Sequence, residues 1–483
     1  MQVKQCTLQY MNRTLLILVA AASVHAQVTI EQRFAEAKRN PAALYAFLVK
    51  MPKGGDLHNH LTGAVYAETF LRIAAEDGLC VDTHALAIVA PPCGAGMVDA
   101  ARAQTDNTLA SQVIDSLSMR DFVPGRESGH DHFFATFAKF GPYKQEHRGE
   151  LIAEVAGRAA DQNESYMELM ILNGNAANDL GKAAGFNGDF EAAKDKLMSG
   201  GLKKVVDEMR VRVDEMEQQR VRALGCEQKT DARGCDVTVR YIYQVLREAP
   251  KEQAFAQVLA GFMLADSDSR VVGVNFVQPE DGYNSMHDYH LQMQMVDYAK
   301  KLYPKVHITL HAGELSAGLV PPEGLRFHIR EAVELGHAER IGHGVDVMYE
   351  KDAFGLLNEM RKRKVMVEIN LTSNDLILGV RGKDHPFPVY RKYGVPVALS
   401  TDDEGVSRGH LTEEYVRAAL TYDLTYAQLK EMVRNSIEYS FLPGASYWQD
   451  RTYKAPAPSS VLKTSEKARV QADLEERFRK FEK

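Results

Sequence analysis

The chain has 483 residues, 45% of them hydrophobic and 25% charged, and a formal charge of −7. That composition describes a soluble globular chain, long enough for one large barrel-type domain with insertions or for two domains. No basic cluster suited to a polyphosphate backbone occurs, so nucleic acid is not an expected partner.

Residues 1–26 read as a signal peptide. Lys4 and Arg13 precede an apolar run at 15–22 that is too short to span a bilayer, and Val24-His25-Ala26 offers small residues for cleavage before Gln27. Met11 is an alternative start, and a frayed apolar helix is the alternative reading. The expectation is an exported protein, periplasmic or secreted, not integral to a membrane. Its mature charge is −9 once Lys4 and Arg13 are gone. Residues 27–52 form a helical lead-in, with one helix expected over 30–50.

Strand-length apolar segments then alternate with amphipathic helices. The candidates are 55–58, 166–172, 237–243, 271–277, 307–311, 340–344, 365–370 and 395–400. Short apolar strands are what a parallel sheet covered on both faces requires. Eight of them with intervening helices predict an α/β fold over 53–449, a (β/α)8 TIM-type barrel. The helix at 202–224 is the clearest, with Leu202, Val205, Val206, Met209, Val213 and Met216 on one face.

Between the first two strands lies a gap too long to be structureless inside a compact domain. It is read as an insertion at about 64–150, made of helices plus a small disulfide-closed segment over the barrel mouth. After cleavage four cysteines remain, in two local pairs, Cys80/Cys93 and Cys226/Cys235. An oxidising compartment favours two local disulfides, although four cysteines allow three connectivities and four free thiols are the bland alternative. Residues 450–483 hold the linker Ala455-Pro-Ala-Pro-Ser-Ser460 and a helix on which Val470, Leu474, Phe478 and Phe481 recur at helical spacing. That helix is expected to pack on the barrel or on a partner. With the insertion, it is also a surface that a homodimer could use.

Four short segments carry the chemistry: His58-Asn59-His60, His311-Ala-Gly-Glu314, Ile341-Gly-His343-Gly344 and Ser400-Thr-Asp402-Asp403. Side chains alternate along a strand, so His-x-His places both imidazoles on one side. A third His and an Asp from other strands complete a nitrogen/oxygen shell suited to zinc. The expected ligands are His58, His60, His311 and Asp402, holding one Zn2+ per chain. All of these motifs fall at carboxyl ends of strands, where barrels of this kind place their chemistry. Taken singly, each has a plainer reading: His58 and His60 beside a turn, Glu314 or Asp402-Asp403 as helix caps. The second pair, His130-Asp131-His132, lies in the insertion and is read as lid packing or nucleoside contact.

In order and spacing these motifs resemble the adenosine deaminase family over about 51–443. The resemblance runs through Met51-Pro-Lys-Gly-Gly-Asp-Leu-His-Asn-His60, His311-Ala-Gly-Glu314, Arg340-Ile-Gly-His-Gly344, Asn370-Leu-Thr-Ser-Asn374, Ser400-Thr-Asp-Asp403 and Asn435-Ser-Ile-Glu-Tyr-Ser-Phe-Leu442. It is closer to the secreted, growth-factor-type branch, which carries an insertion at the same place. The resemblance implies zinc-dependent deamination of adenosine or 2′-deoxyadenosine to inosine or 2′-deoxyinosine plus ammonia. Glu314, His343 and Asp402 would be catalytic. Glu314 would protonate purine N1, His343 would take a proton from the attacking water, and Asp403 would orient the ring through N7.

The sugar side departs from the pattern. Thr62, followed by the expected Gly63, stands where the cytoplasmic enzymes place an acid. Gly273-Val-Asn275-Phe-Val-Gln278-Pro-Glu280 replaces Gly-x-Asp-Leu-x-Gly, leaving Gln278 to offer its amide near N3. Thr62, Gly63, Gln278 and Asp403 are therefore the expected substrate contacts. Another 6-aminopurine, adenine or a modified adenosine, is an open alternative. A two-metal hydrolase of the wider amidohydrolase group would need a Lys ending the fourth strand, and 271–277 has none. An exported binding protein without catalysis is the reading from another class.

Overall fold

The computed structural model describes residues 28–171, 175–228, 233–450 and 452–483. The leader assigned to residues 1–26 lies outside them. The expected lead-in helix is two helices, Ile30–Ala37 and Pro41–Leu48. The break has a local cause. The Asn40 side chain accepts from the amides of Ala42 and Ala43, and Pro41 occupies the first helical position, where its missing N–H costs nothing.

The strands in chain order are β1 (Gly54–His60), β2 (Cys80–Asp82), β3 (Ala87–Val89), β4 (Met97–Asp99), β5 (Glu164–Ile171), β6 (Thr238–Leu246), β7 (Val271–Val277), β8 (His307–Ala312), β9 (Arg340–His343), β10 (Met366–Ile369) and β11 (Val397–Leu399). Eight form one parallel sheet in the order β1-β5-β6-β7-β8-β9-β10-β11. The sheet closes through a parallel bridge between Asn59 and Asp402. There the His60 amide donates to the Asp402 carbonyl at 3.1 Å and the Asp402 amide to the His58 carbonyl at 2.8 Å. The barrel is thus sealed by the backbone of three expected metal ligands.

Every expected barrel strand is present, with ends displaced by a few residues at most. β1 is fully buried although its sequence, Gly-Gly-Asp-Leu-His-Asn-His, is polar. Burial of so polar a strand is possible because its side chains find partners: Asp56 accepts from the His58 amide at 3.2 Å and from the Thr401 hydroxyl.

The insertion is helices plus a three-stranded antiparallel sheet, β3-β2-β4, which periodicity missed because each strand has only three residues. Cys80–Cys93 and Cys226–Cys235 are both bonded. The helix Gly129–Thr136 lies over the barrel mouth against Leu371–Leu378; a Cβ on Gly129 would sit 1.8 Å from the Leu376 carbonyl oxygen.

The tail helix Glu466–Glu482 packs on this chain's own barrel. Leu474 and Phe478 are buried, Phe481 meets Phe47 at 5.1 Å between ring centroids, and Arg434 pairs with Glu475 at 2.7 Å. Its apolar face is used internally, with each buried large side chain contributing about 1.5–3 kcal/mol. Among the described residues no helix is long and apolar enough to cross a membrane.

Candidate active site

β1, β8 and the turn after β11 bring four ligand atoms together at the carboxyl end of the barrel. His311 Nε2 lies 3.1 Å from His58 Nε2 and 3.2 Å from His60 Nε2, and Asp402 Oδ1 lies 3.5 and 3.3 Å from the same two imidazoles. Four ligands placed tetrahedrally at about 2.0–2.1 Å from a zinc ion stand about 3.3–3.4 Å apart, so the spacing suits such an ion.

The hydrogen bonds on the far side of each ring say the same. His58 Nδ1 meets Glu368 Oε2 at 2.6 Å, His60 Nδ1 meets Gln244 Oε1 at 3.3 Å, and His311 Nδ1 meets Asn275 Oδ1 at 3.1 Å. The Asn275 oxygen is identified independently, because it also accepts from the His311 amide at 3.0 Å. All three Nδ1 atoms therefore donate, and the three Nε2 lone pairs face one another with the Asp402 carboxylate beside them. Lone pairs at this separation repel unless a cation lies between them. Room for the His58 ring is left by Gly342, where a Cβ would be 2.6 Å from His58 Cε1.

Behind His58 runs a fully buried ionic chain. Glu368 Oε1 accepts from Arg340 Nε at 2.6 Å and from Thr309 Oγ1 at 2.9 Å, and Arg340 reaches Glu168 at 2.5 Å. Burial pushes the Glu368 pKa up, but Arg340, His58 and Thr309 together outweigh it and hold the carboxyl below its ordinary range.

Glu314, His343 and Asp403 surround the ligand set. Glu314 Oε1 is 3.6 Å from His343 Nδ1, and His343 Nε2 is 3.9 Å from Asp402 Oδ2. The Glu314 carboxyl is held well above its ordinary range, first by burial and then by the negative charges of Asp402 and Glu280. Asp403 is raised in the same way, by burial and by Asp402. His343 is pushed down to about 3, burial outweighing the opposing pull of Asp402.

A cavity of about 400 Å3 opens onto these groups. His60, Gln244, His311, Glu314, Asp402 and Asp403 form its floor, Thr62 and Gln278 line it, and Phe133, Phe134 and Phe137 roof it from the insertion. No Lys or Arg lines it among the described residues. Gly63 acts indirectly: a Cβ there would stand 1.6 Å from Asp403 Oδ1, so the glycine admits the Asp403 side chain. Asp403 Oδ1 is buried with no hydrogen-bond partner among the described residues. The helix-cap reading of this aspartate fails, since Asp403 precedes Glu404–Ser407 without a side-chain cap bond.

His130 and His132 stand apart from the ligand set. His130 Nε2 meets Asp281 at 3.0 Å, tying the roof helix to the loop after β7, and His132 bonds Glu127 and the Ser118 carbonyl.

Several functional positions carried no sequence signal of their own. Glu280 accepts from the amides of Gly313 at 3.0 Å and Glu314 at 2.7 Å, and meets His328 Nδ1 at 2.6 Å. Arg247 donates to the His311 carbonyl at 2.7 Å. Ser373, inside a motif noted above, donates to Asp402 Oδ2 at 2.6 Å.

A family model described as "Adenosine deaminase" matches residues 210–447, a stretch that includes His311, Glu314, His343, Asp402 and Asp403. The chain belongs to the adenosine deaminase family. His58 and His60 precede the matched stretch, and the fold joins them to it. An adenosine deaminase of Clostridium perfringens is 36% identical over 135 residues, 28% of this chain and 37% of that protein. One of Vibrio vulnificus is 28% identical over 212 residues, 44% of this chain and 58% of its own length. The alignments thus span less than two thirds of these relatives.

Solved structures share the fold. Adenine deaminase from Arthrobacter aurescens superposes with a TM-score of 0.55 at 16% identity, covering 89% of this chain and 99% of that one. An amidohydrolase from Burkholderia ambifaria, with bound Zn, reaches 0.57 at 17% identity, covering 95% and 97%. The N6-methyl-AMP deaminase of Arabidopsis thaliana gives 0.55 at 19%, covering 89% and 98%.

Proposed function

We propose that this protein is a zinc-dependent hydrolase that deaminates a 6-aminopurine nucleoside, adenosine or 2′-deoxyadenosine, to the 6-oxo product and ammonia. One observation carries the reading. A buried carboxyl, Glu314, whose burial and negatively charged neighbours Asp402 and Glu280 favour its protonated form, stands beside three imidazoles and a carboxylate whose lone pairs converge, all on the floor of one largely apolar cavity. A general acid next to a water-activating centre, beneath a slot for a flat ring, is the equipment hydrolytic deamination needs.

His58, His60, His311 and Asp402 would hold the zinc. The ion supplies Lewis-acid activation of water, bringing its pKa from about 16 to about 7. The remaining steps belong to side chains. Water adds its oxygen to C6, and one of its protons passes to the His343–Asp402 side of the site. As the C6–O bond forms, the Glu314 carboxyl gives its proton to N1. The proton held on the His343–Asp402 side then goes to the amine, which departs as ammonia when the C6–N bond breaks. Glu314 recovers the hydroxyl proton, leaving a 6-oxopurine with N1–H. Asp403, protonated by its burial, donates to N7 and orients the ring.

The cavity supports a nucleoside over a nucleotide, since none of its described lining residues is a cation that could receive a phosphate. Thr62 and Gln278 stand on the sugar side, so free adenine and N6-modified adenosines belong in the test. Ammonia release from adenosine, 2′-deoxyadenosine, AMP, adenine and N6-methyladenosine decides the reading. The expected order puts the nucleosides first. A kcat/KM for AMP or adenine tenfold above that for adenosine would overturn the substrate, and no ammonia from any of them would overturn the activity. Two disulfides suit an oxidising compartment, which supports export of the chain.

A further inference from the structure

Asn370, Asn374 and His385 have no part in the reading above, yet they reach the site through a directed chain of hydrogen bonds. The chain begins at a group that can only donate. The amide of Phe387, in the first turn of the helix Phe387–Lys392, has no partner within the helix and donates to His385 Nδ1 at 3.1 Å. His385 precedes Pro386, which confines it to extended backbone, and at φ −79°, ψ 133° its ring can reach that amide two residues on.

With Nδ1 accepting, the proton of neutral His385 sits on Nε2, which meets Asn374 Oδ1 at 3.0 Å. The Asn374 amide is thereby oriented, and its Nδ2 donates to His343 Nδ1 at 2.9 Å. Asn370 Nδ2 approaches the same nitrogen at 3.4 Å. All four residues are buried, and burial pushes His385 down to about 4, so its ring is neutral.

We infer that His385 and Asn374 set the tautomer of His343, so that its Nε2 enters the reaction as an N–H donor and not as a base. The contrast with the other three histidines is direct. Their Nδ1 atoms face acceptors, which leaves each Nε2 with a lone pair suited to a metal. The Nδ1 of His343 faces a donor, which puts the proton on Nε2. That Nε2 is buried with no hydrogen-bond partner among the described residues, 3.9 Å from Asp402 Oδ2. It is aimed where the attacking oxygen must sit. Within the His343–Asp402 pair the carboxylate is then the atom left to accept the water's proton, while His343 holds the oxygen by donation. His385 and Asn374 are positioning residues. The inference rests on the deaminase reading for what His343 donates to, but the tautomer itself can be read without turnover.

The test is 15N NMR of the zinc-loaded full chain labelled at histidine nitrogens, with the His343 signals assigned by their loss in His343→Gln. The expected spectrum has Nδ1 unprotonated and Nε2 protonated at neutral pH. A protonated Nδ1, in either the other neutral tautomer or the imidazolium, overturns the inference whether or not adenosine is turned over. Asn374→Asp replaces the donor with an acceptor and should move the proton to Nδ1, with kcat down about 10²-fold or more and KM within about threefold. His385→Gln keeps an N–H toward Asn374 and should retain the tautomer and most of kcat, whereas His385→Phe should lose both. Should the variants fail to fold, the wild-type spectrum alone decides. Should the expected spectrum be found without deamination of any 6-aminopurine, the functional reading fails and the tautomer assignment stands.

Discussion

Glu280 accepts a hydrogen bond from the backbone amide of Glu314 at 2.7 Å, so a buried carboxylate positions the acid. The same side chain receives the Gly313 amide and the ring of His328, and Arg247 lies 3.9 Å away while holding the His311 carbonyl. Glu280 stays ionised, because His328 and Arg247 outweigh the cost of its burial. Glu280→Gln loses the charge and one of its acceptors. We expect kcat to fall about 10²-fold with one metal still bound, since a small displacement of an oriented acid is costly. Wild-type kcat in this variant would show that the amides need no such anchor.

Glu314→Gln keeps the size of the side chain and one hydrogen bond but has no proton to deliver to N1. Turnover should drop by about 10²–10⁴-fold while the metal content is unchanged, checked by ammonia release and elemental analysis of one sample. A rate near wild type would remove Glu314 from the chemistry.

One metal per chain is expected from the convergence of His58, His60, His311 and Asp402. His311→Ala removes the imidazole that touches both others and should leave substoichiometric metal and no activity. Chelation of the wild-type protein should abolish turnover and lower Tm, because an ion that binds only the folded chain stabilises it by mass action. Two metals in the active enzyme, or full occupancy of His311→Ala, would contradict the assignment.

Glu414 gives a pH dependence whose sign follows from its surroundings. It is buried, accepts from the amides of Leu371 at 2.8 Å and Thr372 at 3.1 Å, and is pushed up to about 7 by that burial against an ordinary value of 4.5. Between those pH values the folded chain keeps a proton that the unfolded chain releases. The resulting stability is fully present below pH 4.5 and is lost as pH rises through about 7. At about 1.4 kcal/mol per pH unit, the loss is on the order of 3 kcal/mol. Tm measured from pH 4.5 to 8 should fall less steeply for Glu414→Gln than for wild type. Parallel curves would exclude the effect.

Phe134 belongs to the aromatic roof that the insertion lowers over the cavity. Phe134→Ala should raise KM for adenosine about threefold to tenfold and leave kcat within about twofold, as loss of ring contact alone predicts. A fall in kcat with KM unchanged would place the residue in the chemistry instead.

The barrel was legible because most of its strands are short apolar runs separated by amphipathic helices. The candidate ligands were legible because a period of two puts His58 and His60 on one side of β1 and because each motif ends a strand. The lead-in helix broke at Asn40-Pro41, a local signal present in the sequence but outweighed by the apolar run around it. The small β3-β2-β4 sheet lay below any periodicity, since three residues per strand are too few to alternate. By itself the sequence determined the fold class, and it singled out His58, His60, His311 and Asp402 as a candidate ligand set with the catalytic candidates at one end of the barrel. Only the tertiary structure decided which nitrogen of each histidine carries its proton, which carboxyl stays neutral, and which residues hold the acid in place. Those properties depend on what lies across a buried contact, Glu368 opposite His58 or Asn374 opposite His343, and such partners meet through packing across the barrel with no spacing along the chain to announce them.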